Sequence, residues 1–255
     1  MGKDYPILEF DDCRDAVIEP SRIMGPVEGI PERCVLPIYQ AVIDSLRNDG
    51  VLALVKNIRT SMGFVPVYRM QDEGVDIAVV HPGLCAPLAA IIFEVLIAFG
   101  CRKFVACGSA GVLDSTLAKG TVVVPNGAVR DEGTSYHYMP PGREIEAQDD
   151  VVQVIRSVLD THKIEYRIGK TWTTDGLYRE TKERIARRTA EGCITVDMEC
   201  SAFLAVAAFR GVRFGQLFAT GDDVSGDEWD PRRSDEHRSF PERLFRLAVE
   251  VCKKL

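Results

Sequence analysis

Two hydrophobic rhythms alternate along the chain. Short, nearly continuous apolar runs at 51–58, 75–80, 103–107, 121–125, 166–172 and 213–220 predict strands buried on both faces. Between them, apolar residues at helical spacing predict helices over 36–46, 87–99, 148–161, 201–209 and 240–255, and a charged helix over 181–191. The punctuation agrees. Asn48-Asp49-Gly50, Gly100 and Gly211 stop helices, and Pro87 opens one. Ala16-Val17-Ile18 reads as a short strand closed by the turn Glu19-Pro20-Ser21-Arg22. The segment 75–107 reads as a strand, a helix and a parallel strand with a right-handed crossover. Alternation of this kind predicts an α/β fold of three layers, α/β/α, with a mixed central sheet. No linker or repeat divides residues 1–255, so a single domain is expected.

Composition narrows the partners. A net charge of −7 argues against a nucleic-acid backbone or an anionic membrane as partner. An anionic small substrate would then need its own cluster of cations. The longest apolar run, 84–99, is broken by Pro87 and Glu94 and falls short of the ~20 residues of a spanning helix. The eight cysteines form no C-x-x-C pair and sit mostly in apolar runs, which predicts buried, reduced thiols and a cytoplasmic protein. The N-terminal stretch, with Glu9, Asp11, Asp12, Asp15 and Glu19, is too acidic for a secretory leader. The stretch 227–239 is highly charged and reads as a loop or solvated face. No metal cluster or dinucleotide fingerprint is visible, and no cofactor is expected.

Candidate chemistry concentrates in 196–226. Asp197 can cap a helix whose first turn carries Met198 and Glu199, where free N–H groups favour a carboxylate. The following strand ends in Gly221-Asp222-Asp223, and open α/β sheets place ligands at the carboxyl ends of strands. A first-turn Glu and a turn Asp are also routine surface features. A second site candidate is Gly108-Ser109-Ala110-Gly111, directly after a strand, where backbone N–H groups and a hydroxyl can meet an anion.

Four stretches together resemble the nucleoside phosphorylase superfamily, of the purine nucleoside and uridine phosphorylase type: 103–113, 128–138, 173–181 and 196–223. The resemblance implies a partly barrel-like central sheet. It implies cleavage of a nucleoside's N-glycosidic bond by inorganic phosphate as co-substrate, giving free base and ribose 1-phosphate, with purine nucleosides favoured over uridine. Glu199 would hold the ribose hydroxyls, with Met198 against the sugar and Asp197 beside it. Asp222, or its neighbour Asp223, would serve the departing base. Leu177 and Tyr178 would stack on that base. Gly108 would contact the substrate, and Ser109, Arg22 and Arg59 would bind phosphate, Arg59 crossing into a neighbouring subunit of a homo-oligomer (a dimer or trimer of dimers with shared sites). Arg130, on the loop after a central strand, is a replacement candidate for a missing phosphate cation. The chain departs from the family at Ile18, where relatives place a glycine, and at Ala106, where many place an arginine. These departures keep two alternatives open: a nucleoside hydrolase using water, and a non-catalytic nucleoside-binding protein. His137 reads as a structural histidine.

Overall fold

The computed structural model describes residues 5–232 and 240–255. Its strands are β1 (Arg33–Pro37), β2 (Ala53–Thr60), β3 (Gly63–Asp72), β4 (Val75–Val79), β5 (Lys103–Val112), β6 (Val122–Asp131), β7 (Glu144–Glu146), β8 (Tyr166–Thr174), β9 (Cys193–Asp197) and β10 (Arg213–Asp223). The α-helices are α1 (Pro20–Ile23), α2 (Gln40–Asn48), α3 (Ala86–Phe99), α4 (Asp149–Thr161), α5 (Lys182–Ala190), α6 (Cys200–Arg210) and α7 (Phe240–Lys254). The strands run β10-β6-β8-β9-β5 and then β1-β4-β3-β2. A further pairing of β10 with β5 closes the first five into a mixed barrel. Within it β10–β5, β6–β8 and β8–β9 are parallel, whereas β10–β6 and β5–β9 are antiparallel. The remaining strands extend the sheet outward from β5 through β1.

Alternation along β5 explains the layers, because successive side chains of a strand point to opposite faces. Phe104 and Ala106 join a core with Phe93 of α3 and Phe203 of α6, where the Phe93 ring meets Phe104 and Phe203 edge-on at 4.5 and 5.3 Å. Val105 and Cys107 join the opposite core with α2, α4 and α7, through Val42, Ile155, Leu244 and Val251. The sheet is thus covered on both faces, as its apolar runs predicted. A third, smaller cluster around the fully buried Trp172 lies between the barrel and Ile185 of α5.

The structure corrects the sequence-based expectations in four places. Residues 16–18 form no strand. Val17 and Ile18 are exposed, and the first regular segments are a single turn at Pro6–Leu8 and the short α1. The expected helix over 36–46 starts later, because Arg33–Pro37 is a strand wedged between β4 and β5. Gly108–Gly111 is not a loop: β5 continues through it to Val112, paired with β10. Likewise β10 does not end before Gly221-Asp222-Asp223 but carries them, with a shift of register between Thr220 and Asp223. Six cysteines are buried as expected, but Cys85 is only partly so and Cys13 is exposed. The part of the charged stretch at 233–239 lies outside the described residues. Among the described residues, no helix is long and apolar enough to cross a membrane.

Candidate active site

The Met198-Glu199 turn is held by a buried chain of hydrogen bonds. Asp197 ends β9, and its Oδ2 accepts the backbone N–H groups of Glu199 and Cys200 at 2.8 and 2.6 Å, satisfying the start of α6. Its Oδ1 accepts the Thr171 and Thr173 hydroxyls of β8 at 3.1 and 2.8 Å. Thr173 in turn accepts the N–H of Ser201, and the Ser201 hydroxyl donates to Glu132 at 2.8 Å. Glu132 also accepts the N–H of Ser135 at 2.9 Å. Asp197 therefore caps α6 as expected, but the helix opens only at Cys200, with Glu199 at the N-cap, so Met198 and Glu199 precede the first turn in which they were expected. Burial pushes the Asp197 carboxyl upward against the pull of these bonds.

Glu199 is 6% exposed, and its carboxylate accepts the Cys85 N–H at 2.7 Å. Cys85 holds φ at +68°, left-handed backbone that strains a side-chain-bearing residue by roughly 1–2 kcal/mol. That strained turn, at the mouth of α3, aims its N–H at the Glu199 carboxylate. Burial first, and the Asp197 charge second, push the Glu199 carboxyl up to about 7. Met198 beside it is half-buried.

Asp222 sits on β10, across β5 from β9. The pairing of β10 with β5 shifts register between Thr220 and Asp223, the segment that carries Asp222. Its Oδ1 lies 3.8 Å from the position a Cβ on Gly111 would take, and its Oδ2 accepts the Trp229 indole N–H at 2.7 Å. Asp223 is committed elsewhere. It pairs with Arg232, accepts the Ser225 N–H at 2.8 Å, and is held below the usual carboxylate range: burial works upward, but Ser225 and Arg232 outweigh it. Of the two adjacent acids, only Asp222 faces open space.

That space is a cleft of about 820 Å³ lined by Ser109, Lys119, Leu177, Tyr178, Glu180 and Asp222, with Gly221, Val224, Trp229 and Pro231. Leu177 and Tyr178, on a single 3₁₀ turn after β8, are 48% and 95% exposed, so that wall is open. Glu199 and Met198 do not line the cleft. They connect to it through Val196, whose side chain packs 2.8 Å from the same Cβ position on Gly111.

The expected phosphate residues separate. Ser109 lines the cleft, and Gly108 is buried beneath it. Arg22 stands on α1, away from any strand end, exposed and paired with Asp15 at 2.9 Å. Arg130 is turned inward, donating to Ser135 Oγ at 2.9 Å and the Pro140 carbonyl at 2.9 Å, with its guanidinium over the Tyr136 ring. Neither lines the cleft. Arg59 is exposed near the tip of the β2–β3 hairpin, with no ion pair among the described residues. Ala106 is fully buried against Leu36 of β1.

Two features at this end were missed by sequence reasoning. The chain leaving β1 is Ile38-Tyr39, and it packs onto the Gly108-Ser109 backbone. A Cβ on Gly108 would lie 3.2 Å from Ile38, and the Tyr39 hydroxyl is hydrogen-bonded to Ser109. Burial, with the Cys107 thiol nearby, pushes the Tyr39 phenol up, so it stays protonated as a neutral donor and acceptor. The second feature is Lys119, which lines the cleft beside Ser109 and donates to the Arg232 carbonyl. Its signal in the sequence was only a lysine before a turn glycine, Gly120. Trp229 and Glu180 were also unassigned, although Glu180 lies within the Tyr-Arg-Glu-Thr motif.

Fold and site together define an α/β protein built on a five-stranded mixed barrel, with an acid-lined cleft where β5 and β10 run side by side. Residues 42–253 match the Phosphorylase superfamily, and the chain belongs to it. It is similar to a purine nucleoside phosphorylase (DeoD-type 1) of Shewanella oneidensis, 27% identical over 79% of this chain and 84% of that one. In structure it matches the purine nucleoside phosphorylase of Toxoplasma gondii in complex with immucillin-H, with a TM-score of 0.74, 20% identity, and coverage of 89% and 92%. It also matches the AMP nucleosidase of Bacteroides thetaiotaomicron, with a TM-score of 0.70, 19% identity, and coverage of 88% of each chain.

Proposed function

We propose that the protein is a cytoplasmic enzyme that cleaves the N-glycosidic bond of a purine nucleoside, transferring the sugar to inorganic phosphate. The observation that carries this reading is the convergence of Asp222, Ser109 and Lys119 on one cleft beside the Leu177–Tyr178 turn. Asp222 hydrogen-bonds the departing base, and the buried Glu199, its remaining oxygen free of Cys85, holds ribose hydroxyls. Ser109 and Lys119 hold phosphate in line with the bond that breaks, where positioning and fixed charge lower the barrier. Lys119 takes the part that Arg22 and Arg130 were expected to play. Arg59 is the second cation, supplied by a neighbouring subunit of a homo-oligomer. Its place beside the exposed Met62 and Phe64 on the hairpin supports that role.

Hydrolysis by water is the second reading. It is favoured by Ile38 and Tyr39, which fill the ground against Gly108 and Ser109, and by the lone lysine of the cleft. Base release measured against phosphate concentration, with the sugar product identified, separates the two. Phosphate-dependent release with ribose 1-phosphate supports the first; a flat response with free ribose establishes the second. Absence of turnover on any nucleoside under either condition refutes both and leaves a binding protein.

A further inference from the structure

The cleft contains an acid to which this reading gives no task. Glu180 follows the Leu177–Arg179 turn, half-buried, and lines the cleft with Asp222. It has no ion pair and no side-chain hydrogen bond among the described residues, which is uncommon for a carboxyl that has lost part of its water. The charged groups acting on it are Asp222 from β10 and Arg184 from α5, and the cleft it lines also holds Lys119, from the turn before β6, and Tyr178 of its own turn. The polar groups around it make their hydrogen bonds to other partners. Arg184 donates to Asp131 at 2.5 Å, the Trp229 indole to Asp222, and Lys119 to the Arg232 carbonyl. Burial first, and the like charge of Asp222 second, push the Glu180 carboxyl up to about 7 against the weaker pull of Arg184. Half-buried beside the Asp222 charge, Glu180 ionises only at a cost and keeps its proton near neutrality.

We propose that Glu180 is a second catalytic carboxyl of this site, which gives its proton to the departing base while Asp222 holds that base in place. The assignment rests on the reading that Asp222 meets the base. As the bond from C1′ to the base nitrogen breaks, its electron pair stays with the base. The Glu180 proton moves to a ring nitrogen of the base, leaving Glu180 as a carboxylate. The incoming oxygen, from phosphate or water, forms the new bond to C1′, and the proton it sheds recharges Glu180. No oxidant, reductant or further co-reactant is needed.

The test compares two substrates: inosine, whose base leaves well only when protonated, and 4-nitrophenyl β-riboside, whose phenolate leaves without a proton. The pH dependence of kcat/KM is measured for wild type and Glu180→Gln, with thermal melts to confirm folding. Wild-type cleavage of inosine should fall as pH rises through about 7. In Glu180→Gln that alkaline limb should disappear. At pH 6 the loss on inosine should be about 100-fold, the scale of general acid catalysis, and at least about 10-fold larger than the loss on the nitrophenyl riboside. Equal losses on the two substrates would show a packing role and overturn the assignment. So would an unchanged alkaline limb. If wild type cleaves neither substrate, the functional reading itself fails, and the assignment with it.

Discussion

Replacing Glu199 by Gln should stabilise the protein at alkaline pH and leave it nearly unchanged at acid pH. The carboxyl is 6% exposed and pushed from 4.5 to about 7, chiefly by burial and then by the Asp197 charge. Below about pH 4.5 the folded and unfolded chains both hold the proton, and the shift contributes nothing. Between 4.5 and about 7 the folded protein keeps a proton that the unfolded chain has lost, so stability falls as pH rises. Above about 7 both forms are ionised, and the folded state carries the whole penalty of a buried charge. Two and a half pH units, at about 1.36 kcal/mol each, come to about 3 kcal/mol. Glutamine has the same shape and can still accept the Cys85 N–H, but it never ionises. For a chain of this size about 3 kcal/mol corresponds to roughly 6–12 °C in Tm.

The assay is thermal or urea unfolding of both proteins at pH 5 and pH 8. A difference that grows toward pH 8 supports the account; an equal difference at both pH values, or a less stable variant at pH 8, refutes it. The same substitution should abolish most turnover, because a neutral amide cannot make charge-assisted bonds to ribose hydroxyls, worth about 1.5–3 kcal/mol each. Stability gained where activity is lost marks a residue kept for function rather than for the fold.

The remaining predictions concern the cleft and the assembly. Asp222→Asn should lower kcat/KM on purine nucleosides by roughly ten- to a hundred-fold, the worth of a charge-assisted hydrogen bond to the base, whereas Asp223→Asn should chiefly lower Tm through the lost Arg232 pair; the reverse pattern in paired kinetics and melts would exchange their roles. Lys119→Met should raise the phosphate KM by roughly ten- to a hundred-fold, and an unchanged KM would place the anion elsewhere. Sulfate, a dianion throughout, should inhibit more strongly at pH 6 than at pH 8, because Glu180 is protonated at the lower value; a flat inhibition constant counts against that charge model. Mixing Arg59→Ala subunits with Glu199→Ala subunits should restore activity in hybrids, and no recovery after confirmed subunit exchange would remove Arg59 from the shared site.

Periodicity revealed those elements whose burial is simple. The helices α3, α4, α6 and α7, and the strands flanking them, carry their apolar faces openly in sequence. Strand β1 was hidden because its five residues are buried almost throughout and run into Ile38, so no alternation of period two separates it from the helix that follows. Ala16-Val17-Ile18 misled for the opposite reason: it is apolar but finds no partner strand, and Val17 and Ile18 remain exposed. The acids of the site were legible because Asp197 and Glu199 sit two residues apart just ahead of a buried helix and Asp222 follows a glycine. The cations were not. Lys119 shares a cleft with Ser109 because β5 and β10 run parallel and the chain reverses at Gly120, whose N–H donates to Thr220 of β10 at 2.9 Å. Such an arrangement of distant strands leaves no local spacing to read.

The degree to which each carboxyl is satisfied separates support from chemistry. Asp197 receives two backbone N–H groups and two hydroxyls, so its acceptor sites are filled before any ligand arrives. Its work is to fix the turn that carries Glu199. Glu199 receives backbone N–H groups from Cys85 and Met198 and keeps acceptor capacity for a sugar. Asp222 takes one bond, from an indole that is itself 61% exposed. Glu180 takes none. Hydrogen-bonding capacity left unfilled in a partly buried acid is a cost in the empty protein, of order 1–3 kcal/mol for each such group. A ligand that fills it recovers that cost on binding, so the least satisfied acids, Glu180 and Asp222, are the ones whose energetics depend most on what enters the cleft. The acid whose acceptor sites are filled holds the geometry, and the acids with capacity left over meet the substrate.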